Sequence, residues 1–83
     1  MNIYYKKSVK HDLKQIDISQ RQRIREILEN EITKNIYAGK PLKGGLEGLY
    51  SLRIGDYRVV YQIVSDGVLI VAIRHRKDIY RFL

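Results

Sequence analysis

The chain has 83 residues, which suits one domain spanning 1–83 and one small core, so a deep enclosed pocket is excluded and any site should be shallow and at the surface. Cysteine is absent and the two histidines, His11 and His75, stand in no metal-ligand spacing; disulfide frameworks, thiolate catalysis and cysteine zinc sites are excluded, and no metal or cofactor is expected. Sixteen Lys and Arg against nine Asp and Glu give a formal charge of +7, a field that attracts nucleic acid or an acidic protein.

The opening "MNIYYKKSVKH" lacks a signal-peptide core, and the longest apolar run, Val68 to Ile73, is too short for a bilayer, so a cytoplasmic chain without membrane contact is expected. "NIYYKK" reads as a strand with Ile3 and Tyr5 on one face and Tyr4 on the other. Ser8 is placed to cap a short helix with Val9, Leu13 and Ile16 on one face, and "DIS" ends it. Ser19 and Gln22 fit a capping box for a second helix. Its stripe of Ile24, Ile27, Leu28, Ile32 and Ile36 runs to about Tyr37, with Gly39 and Pro41 as the stop.

"GKPLKGGLEG" is a loop by its glycines and proline. Three strands follow, "LYSLR", "YRVVYQIV" and "VLIVAIRH", joined by the turns "IGD" and "SDG". Strand, two helices and a three-strand meander make an α+β fold, with the helices on one face of a small, largely antiparallel sheet. The other face is left free to meet a partner. In "YRVVYQIV" a period of two puts Tyr57, Val59, Tyr61 and Ile63 on one face and Arg58, Val60, Gln62 and Val64 on the other. Burying an unpaired arginine is costly, so Arg58 either reaches the open face or pairs with Asp56 or Glu47.

The strand "VLIVAI" runs directly into "RHRKDIY", which places an imidazole, two guanidiniums and a phenol at the exit of the most apolar strand. Together with "LYSLRIGDYRVVYQI", this segment resembles toxins of the RelE/ParE superfamily. The resemblance extends over nearly the whole chain, since the helices and the "KPLKGGLEG" loop follow the same order. It implies a RelE-like fold and a toxin of a type II toxin–antitoxin module. In the RelE branch, which Tyr80 favours, such toxins cut mRNA in the ribosomal A site and are silenced by an acidic, RelB-like antitoxin in a hetero-oligomeric complex. In the ParE branch they poison DNA gyrase. A third reading is a weakly active homologue that works with its antitoxin as a DNA-binding repressor.

Carried over position by position, the resemblance implies that Arg58, Arg74 with Arg76, and Tyr80 surround the scissile phosphate. His75 joins them as a catalytic candidate by its own chemistry, and Lys43, Arg53, Lys77 and Arg81 are expected to add RNA contacts by their charge, without a matching family position for Lys43 and Arg53. The chain departs from the branch in one respect: Leu49 and Ser51 stand where well-known RelE toxins carry a lysine pair, which bears on cleavage rate more than on fold.

The chemistry agrees with these residue types. Attack of a 2′-OH on the adjacent phosphate needs a proton acceptor, charge stabilisation on the phosphorane and a proton for the leaving 5′ oxygen. Arginine binds phosphate bidentately and stays charged. His75 and Tyr80 are the candidates for proton transfer or base stacking. Strand alternation sends Arg74 and Arg76 to one side and His75 to the other. His11 reads as a surface residue.

Overall fold

The computed structural model describes residues 1–82, apart from the side chains of Tyr80 and Phe82. The elements in chain order are β1 (Asn2–Tyr5), α1 (Lys7–Lys14), α2 (Ile18–Lys34), β2 (Lys40–Pro41), β3 (Leu49–Ile54), β4 (Tyr57–Val64), β5 (Gly67–His75) and α3 (Ile79–Phe82). The strands form one sheet in the order β1-β5-β4-β3-β2. Neighbouring pairs are antiparallel except β1, which lies parallel to the first half of β5 from Asn2↔Gly67 to Tyr5↔Ile70. A parallel neighbour requires a crossover through other elements or strands, and here the two helices and the meander provide it.

The apolar periodicities meet as read. Val9, Leu13, Ile24, Leu28 and Ile32 of the helices close over Val59, Tyr61, Val68, Ile70 and Ile73 of the sheet. Each fully buried aliphatic side chain contributes about 1.5–3 kcal/mol. Tyr61 is fully buried, and its hydroxyl donates to the Ile36 carbonyl and accepts the Gly39 N–H, both at 2.9 Å. This one phenol therefore anchors the chain after α2 to the sheet.

The helix starts differ from those read in the sequence. Lys6 precedes α1, so Ser8 lies inside the helix and caps nothing. Asp17 is the N-cap of α2, and Ser19 donates its hydroxyl to the Asp17 carboxylate rather than capping a helix of its own. That bond, with the backbone amides of Ser19 and Gln20, holds Asp17 below the usual carboxylate range. α2 ends at Lys34 because Asn35 turns to an extended conformation, φ −155°, and its side-chain oxygen accepts the Tyr37 N–H at 3.0 Å. Within the expected loop, Lys40 and Pro41 add a short edge strand opposite Ser51 and Tyr50.

Two features govern the face away from the helices. β5 carries a bulge: Val60 pairs with Ala72 but Tyr61 with Ile70, which leaves Val71 as an extra residue. A single inserted residue inverts the alternation beyond it. α3, which the periodicity did not show, folds onto this face, where Ile79 is 2% exposed against Val60 and Ala72, flanked by Leu42 and Leu49. The face expected to be open is therefore covered at its centre.

Candidate nucleic-acid interface

The register of the meander brings three arginines into one row. Arg53 on β3 lies opposite Arg58 on β4, and Arg58 lies opposite Arg74 on β5. The bulge makes this alignment, since without it Arg74 would share the helix-side face of Val68 and Ile70. Like charges placed directly opposite each other cost a few tenths of a kcal/mol or more, a repulsion that a bound phosphate would relieve. Arg53 is exposed and donates through Nε to the Gly55 carbonyl at 3.1 Å, across a turn that needs the positive φ of Gly55. Arg58 is half-buried, and among the described residues it makes no ion pair; the pairing with Asp56 or Glu47 considered from the sequence is not present.

Arg74 has its backbone in the row but turns its head elsewhere. β1 accompanies β5 only as far as Ile70, so among the described residues no strand pairs with that edge beyond this point. The guanidinium is directed to α1, where Nη2 lies 3.5 Å from Oδ1 of Asp12, a carboxylate whose side chain is only 15% exposed.

On the helix side of that edge an open cleft of about 550 Å³ separates α1 from the end of β5. Its lining comprises His11, Asp12, Gln15 and Ile16 from α1 and the segment after it, Tyr57, Ile73, Arg74 and His75 from the sheet, and Asp78 and Arg81 from the turn and α3. His75 pairs with Tyr57 in register and packs edge-on against its ring, centroids 5.7 Å apart. The Lys77 backbone N–H donates to His75 Nδ1 at 3.2 Å, so Nδ1 is the acceptor and Nε2 the ring nitrogen left to donate.

The residues singled out from the sequence thus fall into two groups. Arg53 and Arg58 share the face that carries α3, and Lys43 follows Leu42, which packs on that same face. His75 and Arg81 belong to the cleft, with Arg74 linking the two. Arg76 and Lys77 are exposed in the turn between them, and the Arg76 N–H is held by the Asp56 carbonyl at 2.8 Å. Tyr80 lies in α3, and its side chain is outside the described part. His11 is exposed as expected, but it also lines the cleft. Asp12 was missed, because its role rests on a contact 62 residues away that no local pattern signals.

No helix among the described residues is long and apolar enough to cross a membrane, and no cluster of His, Asp or Glu among them could hold a metal ion.

A family model described as the ParE toxin of the type II toxin–antitoxin system parDE matches residues 3–80. The toxin RelE of Mycobacterium tuberculosis is 56% identical over 46 residues, 52% of this chain and 46% of that protein, so in this match the chain spans about half the length of its relative. The toxin RelE3 of Methanocaldococcus jannaschii is 29% identical over 99% of this chain and 98% of its own length. Among solved structures, the toxin–antitoxin complex RelBE2 of Mycobacterium tuberculosis contains a chain that superimposes with a TM-score of 0.82 at 26% identity, covering 90% of this chain and 96% of that one. The arginine row therefore sits on the sheet of a known toxin fold, and the chain belongs to the RelE/ParE superfamily of type II toxin–antitoxin toxins.

Proposed function

We propose that this chain is an endoribonuclease that cuts mRNA in the ribosomal A site and is held inactive by a cognate acidic antitoxin. The observation that carries the reading is the cross-strand pair of Arg53 and Arg58, with Arg74 next in register although its guanidinium turns to Asp12, since two guanidiniums held side by side suit a phosphate. Arg58 and Arg53 bind the scissile phosphate and stabilise the charge that develops as the 2′-OH attacks. Lys43, Arg76 and Lys77 steer the flanking backbone, and the excess positive charge accounts for an acidic antitoxin over the same face. His75 and Tyr80 are the candidates for proton transfer, by the chemistry of an imidazole and a phenol.

The test is primer extension on a defined mRNA in a reconstituted translation system, with wild type, Arg58→Ala and Arg74→Ala, each with and without ribosomes. Cuts at A-site codons that require ribosomes and disappear in Arg58→Ala are expected. Growth arrest by the wild type with intact transcripts would refute the reading. The gyrase-poison reading, favoured by the ParE description of the matching family, would then be tested by gyrase inhibition.

A further inference from the structure

Two places in the fold compete for Arg74. Its backbone lies directly opposite Arg58, and by strand alternation it shares the face of Ala72, on which α3 packs. Its guanidinium instead rounds the edge of β5 and meets Asp12 on α1, with Nη2 3.5 Å from Oδ1. The two partners differ in freedom. Asp12 stands on a helix pinned to the sheet by the buried Val9 and Leu13, and its side chain is 15% exposed, so the carboxylate is held in place. The Arg74 side chain is 38% exposed on a long flexible stem, so the arginine is the member that can move. Residues directly opposite in an antiparallel pair stand about 4.5–5.5 Å apart, within the length of an arginine side chain. From one backbone position the head can therefore reach either Asp12 or the surroundings of Arg58.

The balance between the two positions depends on charge. A guanidinium beside Arg58 meets a like charge, whereas Asp12 offers an opposite one, so the row by itself favours the turn to α1. A phosphate on Arg53 and Arg58 reverses the sign, because its remaining oxygens accept charge-assisted hydrogen bonds from a third guanidinium. A ligand shifts such an equilibrium by the difference between its interactions with the two positions, and the phosphate touches Arg74 in only one of them. We infer that Asp12 is a positioning residue that withholds Arg74 from the phosphate row until an anion occupies it, so that the third guanidinium of the site is recruited by the bound phosphate. The inference rests on the proposal that Arg53 and Arg58 hold phosphate, and it adds how that site is completed. The latch weakens binding by the fraction of molecules in which Arg74 is already released, so its removal should tighten binding.

The experiment is a titration of the 83-residue chain, without ribosomes or antitoxin, with a 2′-O-methylated RNA trinucleotide, which lacks the attacking hydroxyl and stays whole. It is followed by the ¹H–¹⁵N signals of the arginine Nε–H groups. In the parent, the Arg74 signal is expected to move together with those of Arg53 and Arg58. In Asp12→Asn it should start displaced toward its bound position, and the trinucleotide should bind about three- to fivefold more tightly, as release from a partly exposed ion pair allows. Glu26→Gln removes the same charge from an exposed position on α2 and should give at most half that gain. An Arg74 signal that stays in place through saturation of the parent, an Asp12→Asn chain that binds no more tightly, or a gain from Glu26→Gln as large as that from Asp12→Asn would overturn the inference. The signal in the parent decides the matter if Asp12→Asn does not fold. Because no cleavage is read, release of Arg74 in a chain that cuts no mRNA would sustain the latch while refuting the nuclease reading, and A-site cutting with Arg74 unmoved would do the reverse.

Discussion

Replacing Arg58 and Arg74 separately by methionine distinguishes a phosphate-binding row from a structural one, because the two arginines have different surroundings. Methionine retains an unbranched stem, so the loss is of charge and donors and not of packing volume. Arg58 makes no ion pair among the described residues and lies between Arg53 and Arg74, so its removal relieves repulsion. Stability should stay within about 0.5 kcal/mol of the parent, as for substitutions that break no buried contact. Transition-state binding should fall by the worth of a preorganised charged donor, about 2.7–4 kcal/mol, or roughly 10²–10³ in rate. Arg74→Met, in contrast, leaves the Asp12 carboxylate, 15% exposed, without its guanidinium. A polar group left unpaired costs about 1–3 kcal/mol when buried, and the partial exposure of this pair puts the cost at the lower end, about 1 kcal/mol, or a melting temperature lower by roughly 4–8 °C for a domain this size. Urea denaturation and single-turnover cleavage on ribosome-bound mRNA measure the two effects. If Arg58→Met unfolds as readily as Arg74→Met and loses activity only in proportion to the unfolded fraction, the row is structural and the reasoning fails.

Other consequences follow from the packing. Tyr61→Phe removes the hydroxyl that serves both the Ile36 carbonyl and the Gly39 N–H; about 2–4 kcal/mol of stability should be lost, and a urea midpoint within error of the parent would contradict the anchoring role. Gly67→Ala would place a Cβ 1.8 Å from the Asn2 carbonyl oxygen, so β1 must detach from β5; a cost on the order of 3 kcal/mol and loss of amide protection in Asn2–Tyr5 are expected by hydrogen exchange, and full protection would disprove it. Burial and the hydrogen bond donated to Glu29 push the Tyr5 phenol up to about 12 from 10.0. Since the folded value is the higher one, this contribution is complete below pH 10 and fades as the pH rises toward 12. The stability gap between the parent and Tyr5→Phe should therefore hold up to about pH 10 and narrow as the pH rises from 10 toward 12 in urea titrations, and a gap that stays constant above pH 10 would refute the coupling.

The helices and the meander could be read from the chain because their apolar positions repeat at periods that only one backbone geometry can bury: Val9–Leu13–Ile16 and Ile24–Leu28–Ile32 at helical spacing, Tyr57–Val59–Tyr61 at spacing two. Arg58 could be placed on the face away from the helices for the same reason. The helix caps were less legible, since Asp17, Ser19 and Ser8 are all able to cap and the choice among them depends on where the chain enters the helix.

What the site does with these residues was decided in three dimensions. Period two alone puts Arg74 with Val68 and Ile70; the bulge at Val71, which exists only because β5 must pair with β4 at both of its ends, moves Arg74 to the face of Arg58 and turns His75 toward α1. The parallel pairing of β1 ends at Ile70 and leaves an edge over which Arg74 reaches Asp12, across 62 residues of sequence. Local patterning thus determined which residues are buried and which are presented, because burial is a property of each element's own periodicity. Register, bulge and strand order decided which presented residues meet, because those depend on pairings between segments that carry no mark of one another in the chain.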